Sequence, residues 1–122
     1  ADVVGQATNP QQVTGQTGGA AVQALGYAVL EDWKTREGRV LTDKFSTYLI
    51  PTVLDVPDQV HSLILEYADP IGPFGARGMG EMPYLPAAPA IIAALHATTG
   101  VWFYEFPLTP ERVLRGLGRI PG

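Results

Sequence analysis

The chain has 122 residues, 46 % of them hydrophobic and 16 % charged, with a net charge of −4 and no cysteine. That length fits a single domain over residues 1–122. The missing cysteine excludes a disulfide framework, cysteine-ligated zinc, an iron–sulfur cluster and a thiol nucleophile, and the acidic balance excludes a basic nucleic-acid surface.

No apolar run approaches the roughly 20 residues needed to span a bilayer, and no targeting signal is visible, which points to a cytoplasmic setting. The chain begins Ala1-Asp2 without methionine, so it reads as processed, engineered or a piece of something larger. Fourteen glycines and eleven prolines predict short elements joined by sharp turns.

Taken in chain order, Val3-Val4 reads as the end of a strand and Asn9-Pro10 as a turn. A helix is predicted after Gly15-Gln16-Thr17-Gly18-Gly19, through Trp33. Val22, Leu25, Val29 and Trp33 share one helical face, while Ala21, Ala24 and Ala28 form a small-residue face suited to close backbone packing. Gly38, among Arg36, Glu37 and Arg39, marks a surface turn. From Val40 to Pro57 the chain is irregular, because Pro51 and Pro57 limit any strand to a short or edge position. His61 to Tyr67 reads as a strand with apolar residues on both faces.

Asp69 to Pro86 holds too much glycine and proline for one regular element. Pro86 to Thr99 reads as a buried helix capped by Gly100, and Val101 to Phe106 as a strand. Thr109-Pro110-Glu111 combines a cap, a proline at the first helical position and an early carboxylate, so a last helix starts there. The predicted fold is a two-layer α+β domain, with a mixed or antiparallel sheet packed by about three helices.

Two glycine-rich stretches are candidates for chemistry. Gly15 to Gly19 would precede a helix and expose amides to an anion, but it lacks the endings of the known phosphate loops. The plainer reading is that these glycines relieve crowding. Gly75 to Pro83 leads to Glu81, flanked by Gly80 and Met82. A carboxylate kept from water there would have the raised pKa of a base working near neutrality, whereas a surface loop would leave it solvated. His61 and His96 show no metal-ligand spacing, Glu31-Asp32 reads as a solvated helical face, and Ser46 has no nucleophile elbow. The aromatics from Trp102 to Phe106 read as core or interface.

Together, the landmarks resemble the C-terminal part of the molybdenum-binding large subunit of the xanthine dehydrogenase and aldehyde oxidase family. They run in that family's order: Asn9-Pro10 with Val13 and Gly15-Gln16, then Ser46-Thr47-Tyr48 with Ile50-Pro51, then Pro73-Phe74-Gly75-Ala76-Arg77-Gly78-Met79-Gly80-Glu81, then Pro89-Ala90-Ile91 and Thr109-Pro110-Glu111.

The resemblance implies that Glu81 is the base acting on the hydroxyl of the molybdenum centre. It further implies that Gln16 and Ser46 hold the pterin, and that Gly78, Met79 and Gly80 lie beside the metal. The pterin dithiolene carries the molybdenum, so no protein metal ligand is implied. The cofactor would be molybdopterin or its cytosine dinucleotide, shared with the rest of the subunit.

The implied partners are that remainder, iron–sulfur and flavin domains or subunits, and a small aldehyde or N-heterocycle such as a purine. The isolated chain would be inactive. Arg77 stands where the family usually has lysine, and Met82-Pro83-Tyr84 where smaller residues are common. A non-catalytic assembly module derived from the same fold is the competing reading.

Overall fold

The computed structural model describes residues 1–121. Its longest element is a 20-residue helix, α1 (Pro10–Val29). The helix starts at Pro10 because the Asn9 side chain accepts a hydrogen bond from the Gln12 amide at 3.1 Å, and because proline loses nothing at a position whose N–H has no helical partner. Asn9-Pro10 is therefore a helix start and not a turn. Gly15, Gly18 and Gly19 lie inside the helix, which removes the amide-rich helix start expected beside them.

The small-residue side of α1 faces inward: Ala20, Ala24, Gly26 and Ala28 are buried, while Trp33, beyond the helix end, is 62 % exposed. This side packs on α2 (Ala87–Thr99) and on a single 3-10 turn (Met82–Tyr84), where Pro83 and Ala88 are buried. Helix α2 ends as predicted, with Gly100 at φ 74° and its amide bonded to the His96 carbonyl at 2.7 Å. The last helix, α3 (Pro110–Gly116), is capped by Thr109, whose hydroxyl accepts from the Arg112 amide at 3.3 Å.

The strands form two separate pairs among the described residues. β1 (Asp2–Val4) lies parallel to β4 (Ile64–Glu66), with Val3 opposite Leu65. Between them, β2 (Thr35–Arg36) and β3 (Arg39–Val40) form a hairpin whose Glu37 and Gly38 take positive φ, the backbone that a tight two-residue turn needs. The α+β class with three helices therefore holds, but one continuous sheet layer does not form.

The segment Val101–Phe106 is not a strand. Its alternating aromatics are satisfied by side-chain packing instead of a ladder. Phe103 is buried against Gly116, and Trp102 stacks on His96 with ring centroids 3.9 Å apart. A cis Phe106-Pro107 bond follows, and the Leu108 amide donates to the Ala28 carbonyl at 2.6 Å.

Among the described residues no large side chain is fully buried, while Phe45, Leu54, Ile71 and Phe74 are at least 80 % exposed. The accessible surface is 8747 Å² for a mass of 13.0 kDa. A self-contained protein of that mass exposes about 6,300 Å². The chain therefore exposes roughly 2,400 Å² more than that. Among the described residues no helix is long and apolar enough to cross a membrane.

Candidate functional site

The site is built where β1 ends against a knotted loop. Beyond β1, the Gln6 side chain and the Ala7 amide donate to the Glu66 carboxylate at 3.0 and 2.7 Å, tying the chain ahead of α1 to β4. The Gln6 amide donates to the Gly75 carbonyl at 2.6 Å, and the Asp69 amide donates to the same oxygen at 2.9 Å. Gly5 has to be glycine, because a Cβ there would collide with the backbone of Gly75, Ala76 and Arg77. Phe74 and Gly75 both take positive φ, at 55° and 72°, and this turns the loop back on itself.

Asp69 is the hub of the loop. One carboxylate oxygen accepts the amides of Ile71 and Gly72, both at 2.9 Å, and the other accepts the Arg77 Nε at 2.7 Å. The Arg77 guanidinium and then the two amides hold the Asp69 carboxyl below its ordinary 3.8.

After Arg77 the chain runs bare. Among the described residues nothing lies within 4 Å of where a Cβ would stand on Gly78 or Gly80. Met79 is half-buried and Glu81 is exposed. The shielding from water expected around Glu81 is thus not supplied by this chain. The Glu81 carbonyl accepts the Tyr84 amide at 2.9 Å and opens the 3-10 turn that packs on α1.

A cavity of about 650 Å³ lies between the chain leaving β1, the first turns of α1 and the loop 76–79, and is lined by Gln6, Asn9, Gln12, Gln16, Arg77 and Met79 among others. The structure therefore brings Gln16 and Met79 together, with Gly78 and Gly80 as the immediate neighbours of Met79. Glu81 and Ser46 do not line this cavity. Ser46 sits exposed in a separate turn, where the amides of Thr47 and Tyr48 donate to the Lys44 carbonyl at 2.9 and 2.7 Å.

Glu31 also departs from its expected place. It is half-buried past the end of α1 and accepts the Tyr48 hydroxyl at 2.6 Å, which raises the tyrosine above its ordinary 10.0. Among the described residues no group of three His, Cys, Asp or Glu could hold a metal ion.

Sequence reasoning missed Gln6, Asn9, Gln12 and Asp69. Reading Asn9-Pro10 as a helix cap would have found part of this set, because Asn9, Gln12 and Gln16 then fall three and four residues apart on one helical face. Their amides both donate and accept, and the Arg77 guanidinium is the one formal charge in the lining. With one guanidinium and no carboxylate among its walls, the cavity suits a polar ligand with an anionic part.

Residues 1–57 match the family model of the molybdopterin cofactor-binding domain. The chain is 35 % identical over 117 residues to the probable hypoxanthine oxidase XdhD of Escherichia coli K12, covering 95 % of this chain and 12 % of that protein. It is 33 % identical over 111 residues to the xanthine dehydrogenase molybdenum-binding subunit of Escherichia coli O157:H7, covering 89 % of this chain and 15 % of the relative. Its fold superposes on quinoline 2-oxidoreductase from Pseudomonas putida 86 with a TM-score of 0.87 and 37 % identity, over 98 % of this chain and 16 % of that one. On the aldehyde oxidoreductase of Desulfovibrio gigas the TM-score is 0.79 at 32 % identity, over 90 % and 12 % of the two chains. The chain thus spans only a small part of the length of its relatives.

Proposed function

We propose that this chain, which belongs to the xanthine dehydrogenase and aldehyde oxidase family as a segment of its molybdenum-binding subunit, forms one wall of the active site of a hydroxylating oxidoreductase with Glu81 as its base. The substrate class is an aldehyde or an N-heterocycle such as a purine. When bound, the molybdenum–pterin group supplies the two-electron redox chemistry. The chain supplies position and proton handling.

Gln16 holds the pterin side of the group, and Met79 with the backbone of Gly78 and Gly80 lies on the side of its metal. The bare glycines fit this role, since a cofactor can approach their backbone where a side chain would block it. Ser46 is assigned to the same cofactor by resemblance alone. The Glu81 carboxylate takes the proton of the water-derived oxygen that is transferred to an electron-poor substrate carbon. Its basicity is set by polypeptide and cofactor packed around it, because in this chain it faces solvent.

The observation that carries this reading is the cavity joining Gln16 of α1 to Met79, two residues before Glu81. The exposed apolar surface fits a segment completed by the rest of the subunit, with iron–sulfur and flavin groups on other domains or subunits. By itself the chain does not catalyse. The test is Glu81→Gln in the complete subunit. Turnover is expected to fall by about 10²–10⁴-fold, the ordinary worth of a positioned base, while molybdenum content stays nearly intact. Full activity in that variant removes Glu81 from the role. A complete assembly that contains no molybdenum favours the non-catalytic module instead.

A further inference from the structure

We propose that Asp69 is a positioning residue for Glu81, acting through Arg77; the inference rests on the reading of Glu81 given above. The stretch between them has no support of its own. Among the described residues no backbone hydrogen bond reaches Gly78, Met79 or Gly80, and Gly78 and Gly80 stand in open space. Glycine loses more conformational freedom on ordering than any other residue, so the placement of such a stretch has to come from its two ends.

The downstream end is anchored by packing. The Tyr84 amide bonds the Glu81 carbonyl, Pro83 is buried, and the Tyr84 ring lies 5.9 Å from the Tyr27 ring of α1. At the upstream end the Arg77 backbone lies close against Gly5, but its side chain is 48 % exposed. Among the described residues its one side-chain hydrogen bond is the 2.7 Å contact from Nε to Asp69.

Asp69 can act as a fixed post because it is itself locked. Its carboxylate also receives two loop amides, and its own amide donates to the Gly75 carbonyl, which Gln6 ties to the end of β1. A rigid line of bonds therefore runs from β1 through Gly75 and Asp69 to Arg77, one residue before the bare stretch. An ion pair this exposed adds little to global stability. What it adds is direction to the chain that leads to Glu81.

The test uses the complete molybdenum-binding subunit with three variants. Asp69→Asn keeps an oxygen for the two loop amides and removes the charge facing Arg77. Arg77→Met removes the partner, and Arg77→Lys keeps a cation able to pair. We expect Asp69→Asn and Arg77→Met each to lower kcat about tenfold or more, since small misplacements of a reacting group cost that much. KM should stay unchanged, kcat is read per bound molybdenum because Arg77 also lines the cavity, and hydrogen exchange of the amides from Gly78 to Glu81 should speed up.

Arg77→Lys should recover most of the kcat lost in Arg77→Met. A kcat within twofold of the parent in Arg77→Met overturns the proposal, as does a loss that appears only in KM or in molybdenum content. Should Asp69→Asn fail to fold, the Arg77 pair of variants decides. Glu81→Gln separates the two levels: if it stays active, the reading of Glu81 fails. If it is inactive while both Asp69→Asn and Arg77→Met behave as the parent, only the positioning role fails.

Discussion

The contact of α1 with α2 and the segment from Lys44 to Val56 treat apolar residues in opposite ways. On the helical contact small residues leave water altogether, with Ala24 and Ala28 at 0 % exposure and Ala88 at 4 %. In the segment large residues stay in it, with Phe45 at 80 %, Val53 at 84 % and Leu54 at 92 %. The difference is reach. A methyl group lets two backbones meet inside this chain, whereas Phe45 and Leu54 need an opposing surface of comparable size. Part of the molecule is thus packed on itself, and part holds large apolar side chains in water.

The strongest way to break this comparison is Leu54→Asp in the complete subunit. If the segment is an interface, the variant loses the burial of a leucine, worth about 1.5–3 kcal/mol, and also buries an unpaired charge. A loss of more than about 3 kcal/mol is expected in denaturant midpoints or in assembly yield. A change within about 0.5 kcal/mol, usual for a surface site, would show that the segment faces solvent in the whole protein as well.

Next in size is Ala28→Leu. Its site has no free surface, so overpacking should cost about 1–3 kcal/mol by the same measurement. A neutral result would mean that α1 and α2 can part without penalty.

Acid offers the smallest and most local test. In the segment, the Asp55 carboxylate accepts the Thr52 amide at 2.7 Å and the Thr52 hydroxyl at 2.9 Å, which holds its carboxyl below the ordinary 3.8. Because the folded form binds the proton less readily than the unfolded one, this contribution is present above pH 3.8. It is lost as pH falls through the lowered native value. Around Ala24 and Ala28, where α1 meets α2 and the Met82–Tyr84 turn, no carboxylate is buried among the described residues. Amide exchange near Thr52 should therefore rise at low pH before exchange in the turns of α1 around Ala24 and Ala28 does. Equal rises would show that the two regions open together.

Much of the fold was legible in local signals. Gly100 ends α2, Thr109-Pro110 starts α3, and Glu37-Gly38 turns the hairpin, because each is a short-range backbone matter. The start of α1 was equally local, yet Asn9-Pro10 serves turns and helix caps alike, and the glycines behind it hid ten residues of helix. The strand expected at Val101–Phe106 failed for another reason. Its alternation recorded which side chains are buried, and a ladder partner is a fact about distant chain.

The candidate site divides in the same way. Gln16, Ser46, Gly78, Met79, Gly80 and Glu81 were named from ordered motifs, and the structure gathers only Gln16 and Met79 around one cavity.

By itself the sequence determined the α+β class, the end of α2, the start of α3, and the motif order that places the chain in its family. Those depend on residue type and short spacing. Tertiary structure alone decided that β1 lies parallel to β4, that Asp69 holds Arg77, and that Gln6, Asn9 and Gln12 join Gln16 around the cavity. It also decided that Glu81 stands in water when this chain is alone. Each of these is a meeting, or a missing partner, between residues far apart in the chain, and such contacts are fixed by packing and directional hydrogen bonds instead of by local propensity.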